Sequence, residues 1–294
     1  MSAFSTAFRV LTCPHCGAPI QVVPQGGQVQ CGYCRSMLAA PARDDSALQQ
    51  GGPMLNDAER MQGLWRQAQT FGDKPLPPEM SAVLAGGALT PDRVSGALGI
   101  WRSYCQRASA GDFVGGEHAV LITGSLNSYF AAVAKDPMRQ RALFESTLDA
   151  LRVAEQKQVI RCMLARLALK EGDMNSARTW FGACDPRSPD LQADTAYRVT
   201  YAVLATAAND FRNVLAALGP NAESIPVALP SRLQIDVIRA NAIEKCGDVN
   251  TAVAQLVQAA RTIGGAREAI PGIVATNPHL QLCPQSLRYA MAQF

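Results

Sequence analysis

The sequence predicts a mainly helical protein: antiparallel helix pairs stacked side by side, behind a small β-hairpin module at the N-terminus. Three observations carry this. Beyond residue 40 strand-like alternation is scarce, and from Met54 apolar residues recur at helical spacing. Helix-start residues punctuate the same stretch. Three segments of the second half also repeat one another at nearly constant intervals. At 294 residues, with 48% apolar and 17% charged, the chain can bury a large core in more than one domain and is too apolar to be disordered throughout.

Residues 1–40 read as short strands and turns around four cysteines, Cys13 and Cys16 in "CPHC" and Cys31 and Cys34 in "CGYC". Each Cys-x-x-Cys makes a tight turn with both sulfurs on one side. Two such turns facing each other offer four thiolates in a tetrahedron, which suits Zn²⁺ and leaves no coordination position for water or substrate. The same ligands accept iron in a rubredoxin-like centre, or act as redox dithiols. The redox arrangement normally opens a helix in an α/β domain, a context missing here. Between the pairs, Ile20, Val22 and Val29 flank a turn at Pro24–Gly27, so this stretch reads as a hairpin linking the two knuckles. His15, between two ligands, is expected to face solvent.

The pattern is similar to bacterial zinc ribbons and to the lesion-simulating type of plant zinc finger, which share Cys-x-x-Cys, a glycine-containing hairpin and a second Cys-x-x-Cys at this spacing. The resemblance implies one structural zinc ion on Cys13, Cys16, Cys31 and Cys34. Gly17 fits the residue that takes positive φ after the first knuckle, and Arg35 holds the equivalent place in the second. A module of this size lacks a sufficient core, so metal binding is expected to supply most of its folding energy, on the order of 10 kcal/mol.

The stretch "AAPARDDSALQQGG" has little to bury and reads as a flexible linker at 41–53, with a helical-repeat domain at 54–294. Within that domain Asn56, Thr90 and Asp136 are candidate N-caps, the last two followed by Pro91 and Pro137 at the favoured first helical position. "KPLPPEM" separates the first helix from the second. Phe144, Leu148 and Leu151 define one apolar helix face; Val249, Ala252, Val253, Leu256, Ala260 and Ile263 define another.

The repeats are clearest over 155–265. Asp173, Asp210 and Asp248 each follow the end of one helix and start another. Four residues on stands a small apolar residue (Ala177, Val214, Ala252), and eight on a larger one (Phe181, Leu218, Leu256). The aspartate accepts hydrogen bonds from free backbone N–H groups, and the small residue lets the paired helix approach. A helical hairpin cannot bury its apolar face alone, so such units stack. With Leu164, Ala165, Gly172, Ala177, Phe181 and Pro189 in one unit, and Ala240, Gly247, Ala252, Leu256 and Ala259 in another, the stretch resembles the tetratricopeptide family. The resemblance implies an α-solenoid of antiparallel helix pairs. The middle unit departs from the pattern, with Asn209 in place of the glycine.

Composition narrows function. Net charge is +3, and residues 1–40 hold Arg9 and Arg35 with no acid, which leaves +1 for the rest. A dedicated nucleic-acid binder usually shows a concentrated basic face. Residues 139–170 carry the main local excess, including Arg152, Lys157, Arg161, Arg166 and Lys170; charge on a repeat helix usually only solvates it. Nine cysteines are odd in number, and Cys105, Cys162, Cys184, Cys246 and Cys283 lie singly among apolar residues. They read as buried free thiols in a reducing compartment, most simply the cytoplasm. No signal peptide or uninterrupted apolar run of membrane-spanning length is visible. "GGEH" (115–118) reads as a helix start, Trp65, Trp101 and Trp180 as core, and "PQGGQ" as a hairpin tip. No phosphate loop, nucleophile elbow or acid pair emerges, so an enzyme is not expected. The sequence points to a non-catalytic adaptor or scaffold that binds partner proteins through a repeat groove and a zinc ribbon. The alternative is a nucleic-acid-associated factor whose ribbon and basic helices contact DNA or RNA.

Overall fold

The computed structural model describes residues 11–12, 19–20, 27–31, 34–40, 52–70, 75–84, 89–221, 223–277, 279–280, 287–288, 290 and 292. Cys13, Cys16, His15, Gly17, Cys283 and the 41–51 part of the expected linker lie outside them. The chain divides into two compact units, Met1–Glu59 and Arg60–Phe294.

In the first unit β1 (Leu11–Thr12) pairs antiparallel with β2 (Pro19–Ile20), and β3 (Gly27–Gln30) with β4 (Met37–Ala40). Residues 21–26, which hold most of the expected turn between the knuckles, lie outside the described residues; the described pairings join the strands before and after each Cys-x-x-Cys.

The chain from Gly52 onward is mainly helical. The helices are α1 (Gly52–Thr70), α2 (Pro78–Val83), α3 (Val94–Ser109), α4 (Phe113–Tyr129), α5 (Pro137–Ala150) and α6 (Ala154–Lys170), then α7 (Met174–Gly182), α8 (Leu191–Ala207), α9 (Phe211–Leu218), α10 (Arg232–Lys245), α11 (Val249–Thr262) and α12 (Ala266–Thr276). Helix α6 packs on α7, α8 on α9 and α10 on α11, while α6 also meets α8 and α9 meets α10, so the pairs lie against one another.

The aspartate turns explain why these pairs form. Asp173, Asp210 and Asp248 cap α7, α9 and α11, accepting from the backbone N–H groups of Ser176, Asn213 and Thr251. Before each cap sits a residue with left-handed backbone: Gly172 (φ 82°), Asn209 (φ 58°) and Gly247 (φ 100°). Asn209 therefore preserves the turn rather than breaking it, since asparagine is among the few side-chain-bearing residues that tolerate this region. One hydrogen-bond pattern recurs in all three. The left-handed residue donates to the carbonyl three back (Leu169, Thr206, Glu244), and the aspartate N–H to the carbonyl five back (Ala168, Ala205, Ile243). Ala177, Val214 and Ala252 are fully buried, as are Leu218 and Leu256, while Phe181 stacks on Tyr197 of α8 with ring centroids 4.6 Å apart.

The same turn occurs a fourth time, before the recognised repeats. Gly111 (φ 91°) and Asp112 donate to Ala108 and Arg107, and Asp112 caps α4 by accepting from Gly115. The counterpart of Ala177 here is Gly116, where an added Cβ would lie 2.1 Å from Gln156 Oε1 of α6.

Other expectations need correction. Asn56 lies inside α1, which starts at Gly52, so it is no N-cap. Thr90 precedes a turn at 91–93 and α3 begins at Val94, so Thr90 does not cap it. Asp136 does cap α5, with Pro137 at its first position. Trp101 is buried, its indole N–H shared between the Thr123 and Thr147 hydroxyls, and Trp180 is half-buried. Trp65 is exposed. Cys105 and Cys162 are buried, whereas Cys184 is only partly so and Cys246, past the end of α10, is exposed. Val249 also faces solvent, because α11 turns only its Ala252–Leu256–Ala259 side to the core.

Candidate functional site

The helical unit contains a groove of about 870 Å³. Its walls come from segments far apart in sequence: Gln67 and Ala68 of α1, Phe113–Leu121 of α4, Val153–Val159 at the head of α6, Pro189–Gln192 at the head of α8, and Val227–Pro230 before α10. Three polar side chains hold these walls in register. Gln67 donates to Pro189 O (2.8 Å) and accepts from the Leu191 N–H (2.8 Å). Gln156 donates to Phe113 O (2.9 Å), joining α6 to the start of α4. Gln158 donates to Asp185 O (3.0 Å) and Ala193 O (3.1 Å) and accepts from the Asp185 N–H (2.7 Å). Behind them Arg60 of α1 reaches the buried Asp194 of α8 (2.8 Å), which Arg198 also pairs (2.7 Å).

The groove surface is chiefly apolar, with Phe113 (54% exposed) and Leu229 (51% exposed) on it. Exposed large apolar side chains beside a concavity are the usual anatomy of a docking site. The polar complement is sparse and specific. Glu117, Glu155 and Asp190 bring carboxylates, and no lysine or arginine lines the groove among the described residues. Asp190 caps α8 by accepting from Ala193 N–H, whereas Val153 gives α6 no side-chain cap. Among the described residues, the N–H groups of α6's first turn thus have no side-chain acceptor from the cap position. His118, also in the groove, stands edge-on to Tyr104 (5.1 Å), and its buried Nδ1 has no hydrogen-bond partner among the described residues. Burial, first, and the neighbouring Glu79 push the Tyr104 phenol up.

Sequence reasoning placed "GGEH" correctly at a helix start but missed that Glu117 and His118 share this groove. It missed the groove altogether, because no local signal joins residues 67, 113, 153, 189 and 227. Several basic residues of 139–170 are engaged within the fold. Arg141 pairs with Glu171 and Arg139 with Asp136, while Arg152, Arg161 and Arg166 reach backbone carbonyls of Ser109, Ala183 and Cys162.

Of the four expected metal ligands, Cys31 and Cys34 lie among the described residues. Cys31 is buried, Cys34 Sγ lies 3.3 Å from Ser36 Oγ, and the Arg35 N–H donates to Cys31 O (2.9 Å). Arg35 has φ 59°, the left-handed conformation expected after a knuckle even without glycine. Thiolate is a donor that zinc accepts readily, and Gly32 and Tyr33 between the two cysteines lie outside the described residues. Among the described residues alone, no group of three or more potential ligands assembles. No described helix is long and apolar enough to cross a membrane. No family model matches the chain, and no curated protein or solved structure matches it either.

Proposed function

We propose that this protein is a non-catalytic adaptor whose helical body holds an extended apolar segment of a partner protein. The groove carries the reading. Phe113 and Leu229 supply apolar anchoring area, and the carboxylates and uncapped α6 N–H groups complement the alternating donors and acceptors of a peptide backbone. Stacked helix pairs suit this task, and we read 155–265 as a tetratricopeptide-like part of an α-solenoid. The N-terminal module is read as a zinc ribbon at 1–40, joined through 41–53 to the repeat body at 54–294. Cys13, Cys16, Cys31 and Cys34 would hold one zinc ion there, and the metal would supply a fixed cross-link that lets a short chain fold. Free thiols in the body fit a cytoplasmic setting.

The test compares wild type with a Phe113→Ser, Leu229→Ser variant in native pull-downs, with and without nuclease, read by mass spectrometry. Both side chains are exposed, so the variant should melt as wild type does. Partners that survive nuclease and are lost from the variant support the adaptor. Partners that vanish with nuclease but persist in the variant shift the reading to DNA or RNA held by the ribbon and basic helices, a binding mode with steep salt dependence.

A further inference from the structure

Two cysteines that the sequence presents singly are brought together inside one hairpin. Cys162 lies on the buried face of α6, and Cys184 stands two residues beyond the end of α7, partly open to solvent. Their sulfurs are 3.8 Å apart. The Cys184 thiol also points to Trp180 O (3.7 Å). Arg161 anchors the neighbouring Ala183 carbonyl (3.1 Å), and Arg166 the Cys162 carbonyl (3.4 Å).

We propose that Cys162 and Cys184 form an oxidisable thiol pair, which a peroxide converts to a disulfide fastening α6 to the connection between α7 and α8. A disulfide needs the sulfurs about 2.05 Å apart. The displacement falls on Cys184, which lies in a non-helical connection and can turn toward the fixed Cys162. The pair also eases loss of its first proton. Hydrogen bonding from Cys184 holds the Cys162 thiol below its ordinary range, and the donor, Cys184, is pushed up in turn. Either sulfur can be the donor at this distance, so the shared proton can pass to Cys162 and leave a minor thiolate form on Cys184, the sulfur that solvent reaches. That thiolate attacks one peroxide oxygen, the O–O bond breaks, and hydroxide leaves to take up a proton as water. The resulting sulfenic acid on Cys184 is attacked by Cys162 sulfur. The S–S bond forms, the S–O bond breaks, and the second hydroxide leaves with the Cys162 proton as water. Two thiols lose two electrons to the peroxide, and an external dithiol reverses the step.

The connection so fastened runs through Asp185, which Gln158 already holds from α6, to the head of α8. The proposal does not depend on what the groove binds.

The test uses the full-length, zinc-loaded protein treated with a few equivalents of hydrogen peroxide, then unfolded, alkylated and digested with trypsin. The expected product joins fragments 162–166 and 179–187, two hydrogens lighter than their sum, within a single chain. Dithiothreitol should remove it and Cys184→Ser should lack it, while Cys105, whose thiol burial pushes up to about 11, stays alkylated. Cys184 is partly exposed, so the serine variant should melt within a few degrees of wild type. Hydrogen exchange over 183–190 should slow several-fold in oxidised wild type and not in the variant. Recovery of both fragments alkylated, either one as a sulfinic acid, or a cross-link between two chains would overturn the proposal. An intramolecular disulfide with unchanged exchange would overturn its fastening role.

Discussion

Replacing Arg239 with methionine should destabilise the helical unit more than any surface change, and the structure lets the size be worked out. The guanidinium is 1% exposed, lies 2.6 Å from Asp236, and donates to the carbonyls of Gly219 (3.0 Å) and Leu218 (2.8 Å) at the end of α9. Methionine keeps most of the stem's volume but strands a carboxylate that is 7% exposed. Removing one partner of a buried pair costs about 3–5 kcal/mol. Arg232 stays 3.9 Å from Asp236 and places the loss at the lower end. Losing a donor to each of two carbonyls adds about 1 kcal/mol apiece, partly offset by water entering the loosened site. The expectation is therefore about 4 kcal/mol, a fall in Tm of roughly 8–16 °C for a unit of this size.

The loss should depend on pH. Burial, the largest influence, keeps the Asp236 carboxyl above its ordinary value despite the opposing pull of Arg239 and Arg232. A carboxyl raised in the folded state favours folding most at low pH, and that contribution is lost as pH climbs from the unfolded value of about 3.9 through the folded one. Without Arg239 the carboxyl rises further, so the variant's deficit should shrink between neutral pH and about pH 5 as the stranded group takes up a proton. Urea denaturation at both pH values measures this, and adding Asp236→Leu should restore at least half the loss at neutral pH. A deficit below about 1 kcal/mol, or one that neither pH nor the second substitution relieves, would refute the reasoning.

Cys16→Ser with Cys34→Ser should abolish zinc binding and unfold residues 1–40 while leaving most helical circular dichroism in place; collapse of the whole helical signal would place the ribbon within the helical core. Ala177→Leu or Ala252→Leu should cost about 1–3 kcal/mol by overpacking a fully buried position, and an unchanged melting temperature would discredit the repeat register. At Asn209, glycine should be neutral within a few tenths of a kcal/mol, whereas valine, which resists the left-handed backbone, should cost about 1–2 kcal/mol; equal midpoints for the two would remove the turn argument.

What could be foreseen divides by range of interaction. The turns at Asp173, Asp210 and Asp248 were legible because cap, left-handed residue and small residue all lie within eight positions. The fourth turn, at Gly111–Asp112, carries the same local signature but went unrecognised. Helix α5 intervenes before α6, so Asp112 stands out of period with Asp173, and Gly116 replaces the alanine. Asn209 looked like decay because sequence shows residue type, not φ. The groove was invisible for a stronger reason: its walls meet only through tertiary packing, and the glutamines that lock them, Gln67, Gln156 and Gln158, resemble ordinary surface residues in sequence. Cys162 and Cys184 fall in one hairpin, yet only the angle at which α7 leaves the turn decides that their sulfurs meet.

The scattered origin of the groove has a consequence in time. A growing chain emerges N-terminus first, at about 5–20 residues per second, and each hairpin can close as soon as its own turn is out. The last wall segment, Val227–Pro230, follows the α4 wall by more than a hundred residues. For roughly 5–20 s a nascent chain therefore carries Phe113 without Leu229 opposite it. Under the proposed function, a partner that needs both side chains cannot engage until the chain has emerged past Leu229, so copies interrupted before that point would stay out of the complex.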